Sequence, residues 1–178
     1  MQITKYLLGA RYRGALRALV VPLALSTVGC NEVNAMSEVV IFSAVRGVVT
    51  SQGKPVVGAT LERETRWTWG KETVNDTATS GSDGAFNFPA IKRKMLAGAL
   101  LPHEPNVFQK IVIQHGGKSY LAWSLNKRNY DDNGELLYFD DNKGMVPYRD
   151  IAKPISIQCR LESPEHRNGK VFGICDFD

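Results

Sequence analysis

The chain is poor in the residues that carry chemistry at close quarters. Three cysteines and three histidines are spread over 178 residues. His103, His115 and His166 stand far apart, none beside a second ligand at the spacing zinc requires. No Gly-x-Ser-x-Gly elbow, Gly-x-x-x-x-Gly-Lys-Ser/Thr phosphate loop or His-Glu-x-x-His helix occurs, so those hydrolase, nucleotide and metalloprotease mechanisms lack their parts. An excess of one charge is missing too. Lys5, Arg11, Arg13 and Arg17 are the only charged residues before Cys30, and removing them from 22 Lys and Arg leaves 18 against 18 Asp and Glu. A nucleic-acid partner needs a basic face or stripe, and Lys92-Arg93-Lys94 reads as a solvated face instead. No nucleic acid, cofactor or metal is therefore expected. Internal repeats and low-complexity tracts are absent, and 43% hydrophobic with 22% charged residues is ordinary for one globular domain.

The early cations belong to a recognisable order. They precede the apolar segment Ala18 to Val28, which ends at Gly29-Cys30. Spanning a bilayer takes about 20 apolar residues, so this segment reads as the core of an export signal and not as an anchor helix. With Cys30 where the apolar run stops, residues 1–29 resemble a bacterial lipoprotein signal peptide. The resemblance implies cleavage before Cys30 and lipidation of that residue. Thr27 departs from the usual Leu of that pattern. Asn31 follows the cysteine where an Asp would imply retention at the inner membrane, so the implied address is the outer membrane, facing the periplasm. Residues 30–38, polar through Ser37, read as a lipidated tether.

From Arg46 to Pro89 the chain carries its clearest structural pattern. β-Branched residues flank Gly53-Lys54-Pro55, which reads as strand, tight turn, strand. Asp83-Gly84 is a second turn signal, after which Phe86 and Phe88 alternate with polar neighbours as a half-buried strand does. On Gly47, Val49, Gly53, Pro55, Gly58, Ala59, Thr79, Asp83, Gly84, Phe86 and Phe88, this stretch resembles the carboxypeptidase regulatory-like domain. The resemblance implies an all-β fold over residues 39–178, a transthyretin-like or Ig-like antiparallel β-sandwich. In that family the module is usually an accessory domain, with peptidase chemistry housed elsewhere.

The alternation predicts one strand over Val39 to Thr50, a second over Val56 to Glu64 with Val57, Ala59 and Leu61 on one face, and a Thr-rich strand over Thr73 to Ser80. Residues Ile91 to Leu101 depart from the family pattern and read either as a short helix or as a long loop. Phe108 to Gln114 and Ser119 to Leu125 form a hairpin about Gly116-Gly117. Asn133-Gly134 then turns the chain into a returning strand over Glu135 to Asp140. Cys159 and Cys175 flank the turn-rich segment Ser163 to Gly169. An even pair in an exported chain is read as a disulfide stapling a terminal hairpin, with two free buried thiols as the alternative an oxidising compartment disfavours.

Two clusters remain as candidate contact residues. Trp67 and Trp69, two apart, are read on one side of a strand, as core packing or as an exposed aromatic ledge. Asp131 and Asp132, with Asn133 and Glu135, form the richest oxygen cluster. Calcium favours such ligands, but the spacing does not fit an EF-hand loop. The expected function is a non-catalytic, periplasm-facing lipoprotein that binds a macromolecular partner, another protein, through Trp67, Trp69, Asp131 and Asp132. In size, address and fold it resembles the lipoprotein immunity proteins that neutralise periplasm-acting type VI secretion effectors. Two other readings stand beside it. One is a carbohydrate- or envelope-binding module stacking sugars on Trp67, Trp69 and Trp123. The other is a hydrolase using Asp131 or His115 as a base.

Overall fold

A computed structural model describes residues 36–96, 103–140, 144–147 and 154–178. The proposed signal peptide, Cys30 and most of the tether lie outside these residues. The strands among them are β1 (Met36–Phe42), β2 (Val45–Ser51), β3 (Lys54–Pro55), β4 (Thr60–Trp67), β5 (Glu72–Thr79), β6 (Ala85–Phe88), β7 (Ile91–Leu96), β8 (Val107–His115) and β9 (Lys118–Lys127). A short 3-10 helix, Gly134–Leu136, precedes β10 (Leu137–Asp140), β11 (Gly144–Pro147), β12 (Ile155–Arg160), β13 (His166–Asn168), β14 (Val171–Gly173) and β15 (Cys175–Phe177).

Period-two patterning builds the two principal sheets. In β4, Leu61, Arg63, Thr65 and Trp67 are buried while Glu62 and Arg66 face water, and β8 repeats this with Val107, Gln109, Ile111 and Ile113 inward. These strands lie in a six-stranded sheet of order β13-β14-β9-β8-β4-β5. The facing sheet has the order β15-β12-β2-β3, with β6 also on β2. Together they form the all-β sandwich expected, antiparallel except that β2 and β12 run parallel. The apolar interior includes Phe42, Val45, Val49, Phe88, Ile111, Trp123, Ile155 and Ile157. Trp123 meets the Phe177 ring edge-on at 6.0 Å, joining β9 to β15.

Several expected elements change. The first strand is two strands, broken at Ser43-Ala44, because Ser43 is captured by Glu135 as described below and the chain switches partners there. Before the break β1 pairs with β7; after it β2 joins β12 and β6. Met36 and Ser37 lie in β1, so the tether is shorter than read. The second strand begins at Thr60, not Val56. Gly58 takes φ 73, a left-handed conformation that interrupts extension, and Val57 is 60% exposed, off the face shared by Ala59 and Leu61. Ile91–Leu96 is a strand, in place of the short helix or long loop read there, and residues 97–101 of that segment lie outside the described residues: Ile91, Arg93 and Met95 turn inward at period two while Lys92 and Lys94 are exposed. Asn133-Gly134 does not make a hairpin. Asn133 takes φ 60 ahead of the 3-10 turn, and β10 pairs with β11 instead of returning on β9.

The C-terminal hairpin is also more elaborate than expected. Cys159 and Cys175 are directly opposed in β12 and β15, with Cα atoms 4.1 Å apart, and are disulfide-bonded. The segment between them is not a plain turn: it forms the β13–β14 hairpin and joins the opposite sheet through β9. His166 in β13 reaches across to Asp176 in β15, with Nε2 2.9 Å from Oδ1.

A closed polar network occupies the interior. Glu135 has no exposed side-chain surface, and neither does Lys127, whose Nζ lies 3.2 Å from Glu135 Oε1. The same oxygen accepts the Ser43 backbone N–H at 2.9 Å and the Gln109 amide at 2.8 Å, while Oε2 accepts the Ser43 hydroxyl at 2.7 Å. Lys127 also donates to the carbonyls of Val40 (3.1 Å) and Asp131 (2.7 Å). Gln109 Oε1 accepts the Trp123 indole N–H at 3.3 Å. Burial lowers the Lys127 pKa and the Glu135 charge opposes that shift. Arg63 is a second buried cation, with its guanidinium 5.0 Å from the Phe42 ring centre and 4.6 Å from that of Phe88. It donates twice to Asp76, at 2.8 and 2.6 Å, and once to the Pro89 carbonyl.

Removing one member of a buried pair strands the other charge, at a cost of about 3–5 kcal/mol. Glu135→Ala is therefore expected to lower the unfolding free energy in urea by about that much, whereas Glu64→Ala, which removes a surface partner of Arg66, shifts it by less than about 1 kcal/mol. Equal effects would mean that the interior pair is not structural. His166 gives a pH signature. The Pro164 carbonyl and then the Asp176 carboxylate raise its pKa. A raised folded value means stabilisation that is complete below the ordinary pKa of about 6.5 and is lost as pH rises through the folded value. Thermal melts should thus separate the wild type from His166→Gln at about pH 5 and bring them together at about pH 9. The gap is small, because the ring is partly exposed; a gap that widens with pH contradicts the assignment.

Candidate functional site

One end of the six-stranded sheet carries a stack of four rings drawn from three segments. Trp67 closes β4 on its inward face and is buried. Its indole N–H donates to the Tyr130 hydroxyl at 3.1 Å, and the two rings meet edge-on with centres 6.2 Å apart. The same hydroxyl lies 3.1 Å from His103 Nε2. Having accepted from Trp67, it has its own proton to give to that nitrogen. Among the described residues, the buried His103 Nδ1 has no hydrogen-bond partner. Above His103, Trp69 lies nearly parallel, its ring centre 3.9 Å away at 19°, and is 42% exposed.

The β4–β5 turn fixes Trp69 in this pose. Thr68 N–H bonds to the Asn106 carbonyl at 3.2 Å, and Lys71 N–H closes back on Thr68 at 3.2 Å. Gly70 is required by a close approach: a Cβ there would penetrate the Trp67 ring. Beside the indole is an open cleft of about 390 Å³ lined by Thr68, Trp69, Lys71 and Glu104. Glu104 is held by Arg128 at 2.7 Å. The surface is thus a rigid indole rimmed by both signs of charge. Among the described residues, Trp69 and Val57 are the large apolar side chains left exposed.

The structure separates the residues that the sequence grouped. Trp67 and Trp69 do not share a face, since Trp69 lies beyond the end of β4 in the turn, where strand parity no longer holds. Trp67 is core and Trp69 is surface. Trp123 has no exposed surface, so the three tryptophans cannot form a common stacking platform. Asp131 and Asp132 are exposed, and their loop contributes the neighbouring Tyr130 to the ring stack. Glu135 turns inward to Lys127 and leaves the oxygen-rich run it was grouped with. His115 sits exposed at the β8–β9 turn. Sequence reading missed His103 and Tyr130 as site residues. The only signal for them is that both flank strands that converge on the β4–β5 turn.

The fold is an all-β sandwich with an aromatic cluster at one end of its six-stranded sheet. Residues 45–141 match the family described as a domain of unknown function, DUF6795, and the chain belongs to that family. No curated protein and no solved structure matches it. The matched span contains the ring stack and the buried Gln109, Lys127 and Glu135.

Proposed function

We propose that this chain is a non-catalytic, periplasm-facing lipoprotein that binds another protein through the Trp69 end of its sandwich. The observation carrying this reading is a tryptophan 42% exposed yet held flat on His103, above a chain of part-buried hydrogen bonds. An indole so placed has little conformational freedom to lose on association. Tryptophan is also over-represented among residues that dominate binding energy at protein interfaces. Lys71 and Glu104 at the rim supply charge pairing that orients a partner without having to be desolvated. Burial of Trp67 and Trp123 weighs against the carbohydrate reading, because a single indole remains for stacking.

The partner class we infer is a secreted effector acting in the periplasm, which this protein would neutralise by occupying or flanking its working surface. Support for that class is the combination of small size, a lipoprotein-like leader ending at Cys30 and a sandwich with one anchored contact ring. Co-expression with effectors encoded beside it tests this directly: protection of the host cell is expected, and its absence for every neighbouring effector removes the reading.

Trp69→Ala is expected to weaken capture of the partner from envelope extracts by at least about 30-fold, the effect of losing a contact worth about 2 kcal/mol, with an unchanged melting temperature. Undiminished capture would place the contact elsewhere. Cys30→Ser is expected to move the protein from the membrane fraction to the soluble periplasmic fraction, and a variant that still pellets with membranes would contradict the lipid anchor.

A further inference from the structure

The strand β5 ends the six-stranded sheet and, among the described residues, is bonded on one side only, to β4 over the full run Thr60↔Thr79 to Trp67↔Glu72. Ser80, the next residue, donates its N–H to the Ala59 carbonyl and accepts the Gly58 N–H, both at 3.0 Å, so both its backbone groups face the β4 side. Antiparallel pairing alternates from residue to residue. The N–H and C=O groups of Thr73, Asn75, Thr77 and Thr79 therefore point away from β4, to the free edge. Among the described residues, no backbone bond from outside β4 reaches them.

Native sheets ordinarily guard such an edge with lysine, proline, a bulge or a covering segment. β5 has no lysine or proline, and its register with β4 runs without a bulge. Its outward side chains, Thr73, Asn75, Thr77 and Thr79, are exposed and uncharged. Its acidic residues turn the other way: Asp76 is bound by Arg63, and Glu72 by Arg93 at 2.6 Å.

We infer that β5 is a self-association edge, at which two copies of this chain pair antiparallel about a twofold axis into one continuous sheet. A register centred on Asn75 suits the strand. With Asn75 opposite Asn75 of the second copy, Thr73 faces Thr77, Glu72 faces Ala78 and Val74 faces Asp76. Threonine pairs are favourable across strands, and no like charges are opposed. The next register in phase sets Asp76 against Asp76 and is disfavoured for that reason. The pairing runs through the β5 backbone and does not depend on the Trp69 contact, although β5 starts directly after Lys71 of the cleft.

The unit Asn34–Asp178 is compact by itself and contains the whole apolar core and the disulfide, so it can be tested alone. Analytical ultracentrifugation over a concentration series is expected to give a monomer–dimer equilibrium. Asn75→Lys, which opposes two lysines at the axis, should leave a monomer with an unchanged melting temperature. Thr73→Lys combined with Thr77→Glu opposes unlike charges in the inferred register and should dimerise, more weakly at high salt. Hydrogen exchange should slow at Thr73, Asn75 and Thr77 as concentration rises. A monomer at every concentration overturns the inference, as does a dimer indifferent to Asn75→Lys or one whose β5 amides stay unprotected.

Discussion

The ion pair between Lys127 and Glu135 is the constraint on which the other parts converge. Neither side chain touches water, and taking two charges into the interior costs several kcal/mol each before their attraction and hydrogen bonds offset it. The network meets that condition through the Ser43 backbone and hydroxyl, the Gln109 amide and two main-chain carbonyls. Because its contacts are to backbone as well as side chains, it fixes chain path. It holds the end of β1 through Val40, the break between β1 and β2 through Ser43, and the loop after β9 through Asp131. Hydrophobic replacements of similar volume often pack as well as a buried ion pair, yet they could not choose among these backbone groups. We read the pair as a device for specifying one arrangement, more than as a source of net stability.

That clamp reaches the surface. The loop holding Asp131 is bonded from below by Lys127, and the Tyr130 carbonyl accepts the Val40 N–H at 3.0 Å. Tyr130 is therefore held by its backbone on two sides while its hydroxyl accepts from Trp67 and meets His103. Trp69 rests on His103. The exposed indole is thus connected to the interior pair by a short chain of contacts, each of which has one geometry. An exposed side chain supported in this way is preorganised by the same interactions that set the fold.

What could be read beforehand follows from which interactions are local. Alternation in Phe86 and Phe88, or the paired glycines at 116 and 117, records a strand or turn that depends on near neighbours, and these elements appear as expected. Alternation also places Gln109 and Lys127 inward on β8 and β9, so their burial was legible in principle; their partner was not, since Glu135 arrives from a loop whose Asn133-Gly134 pair imitates a hairpin turn. The break at Ser43 has no local cause, because the residue that captures it is far along the chain. Ile91 to Leu96 was ambiguous for a related reason. It was read as a short helix or a long loop, and its pairing with β1, distant in sequence, makes it a strand. Trp69 was singled out on a wrong argument, because parity with Trp67 ends where the turn begins.

The span matched to the family ends at residue 141, before β12, and the sheet explains why that span is not a self-sufficient half of the sandwich. β2 lies between β12 on one side and β6 with β3 on the other. Without β12, six consecutive residues of β2 would lose their parallel partner, and the inward Ile155, Ile157 and Phe177 would leave the core open over Trp123. The tail supplies that layer and closes it twice. The Cys159–Cys175 bond fixes β15 to β12, and the hairpin between them crosses to β9 in the opposite sheet. A segment that bridges both sheets and is covalently closed resists fraying from the C-terminus. The aromatic end and the free β5 edge therefore sit on a sandwich whose far margin is locked.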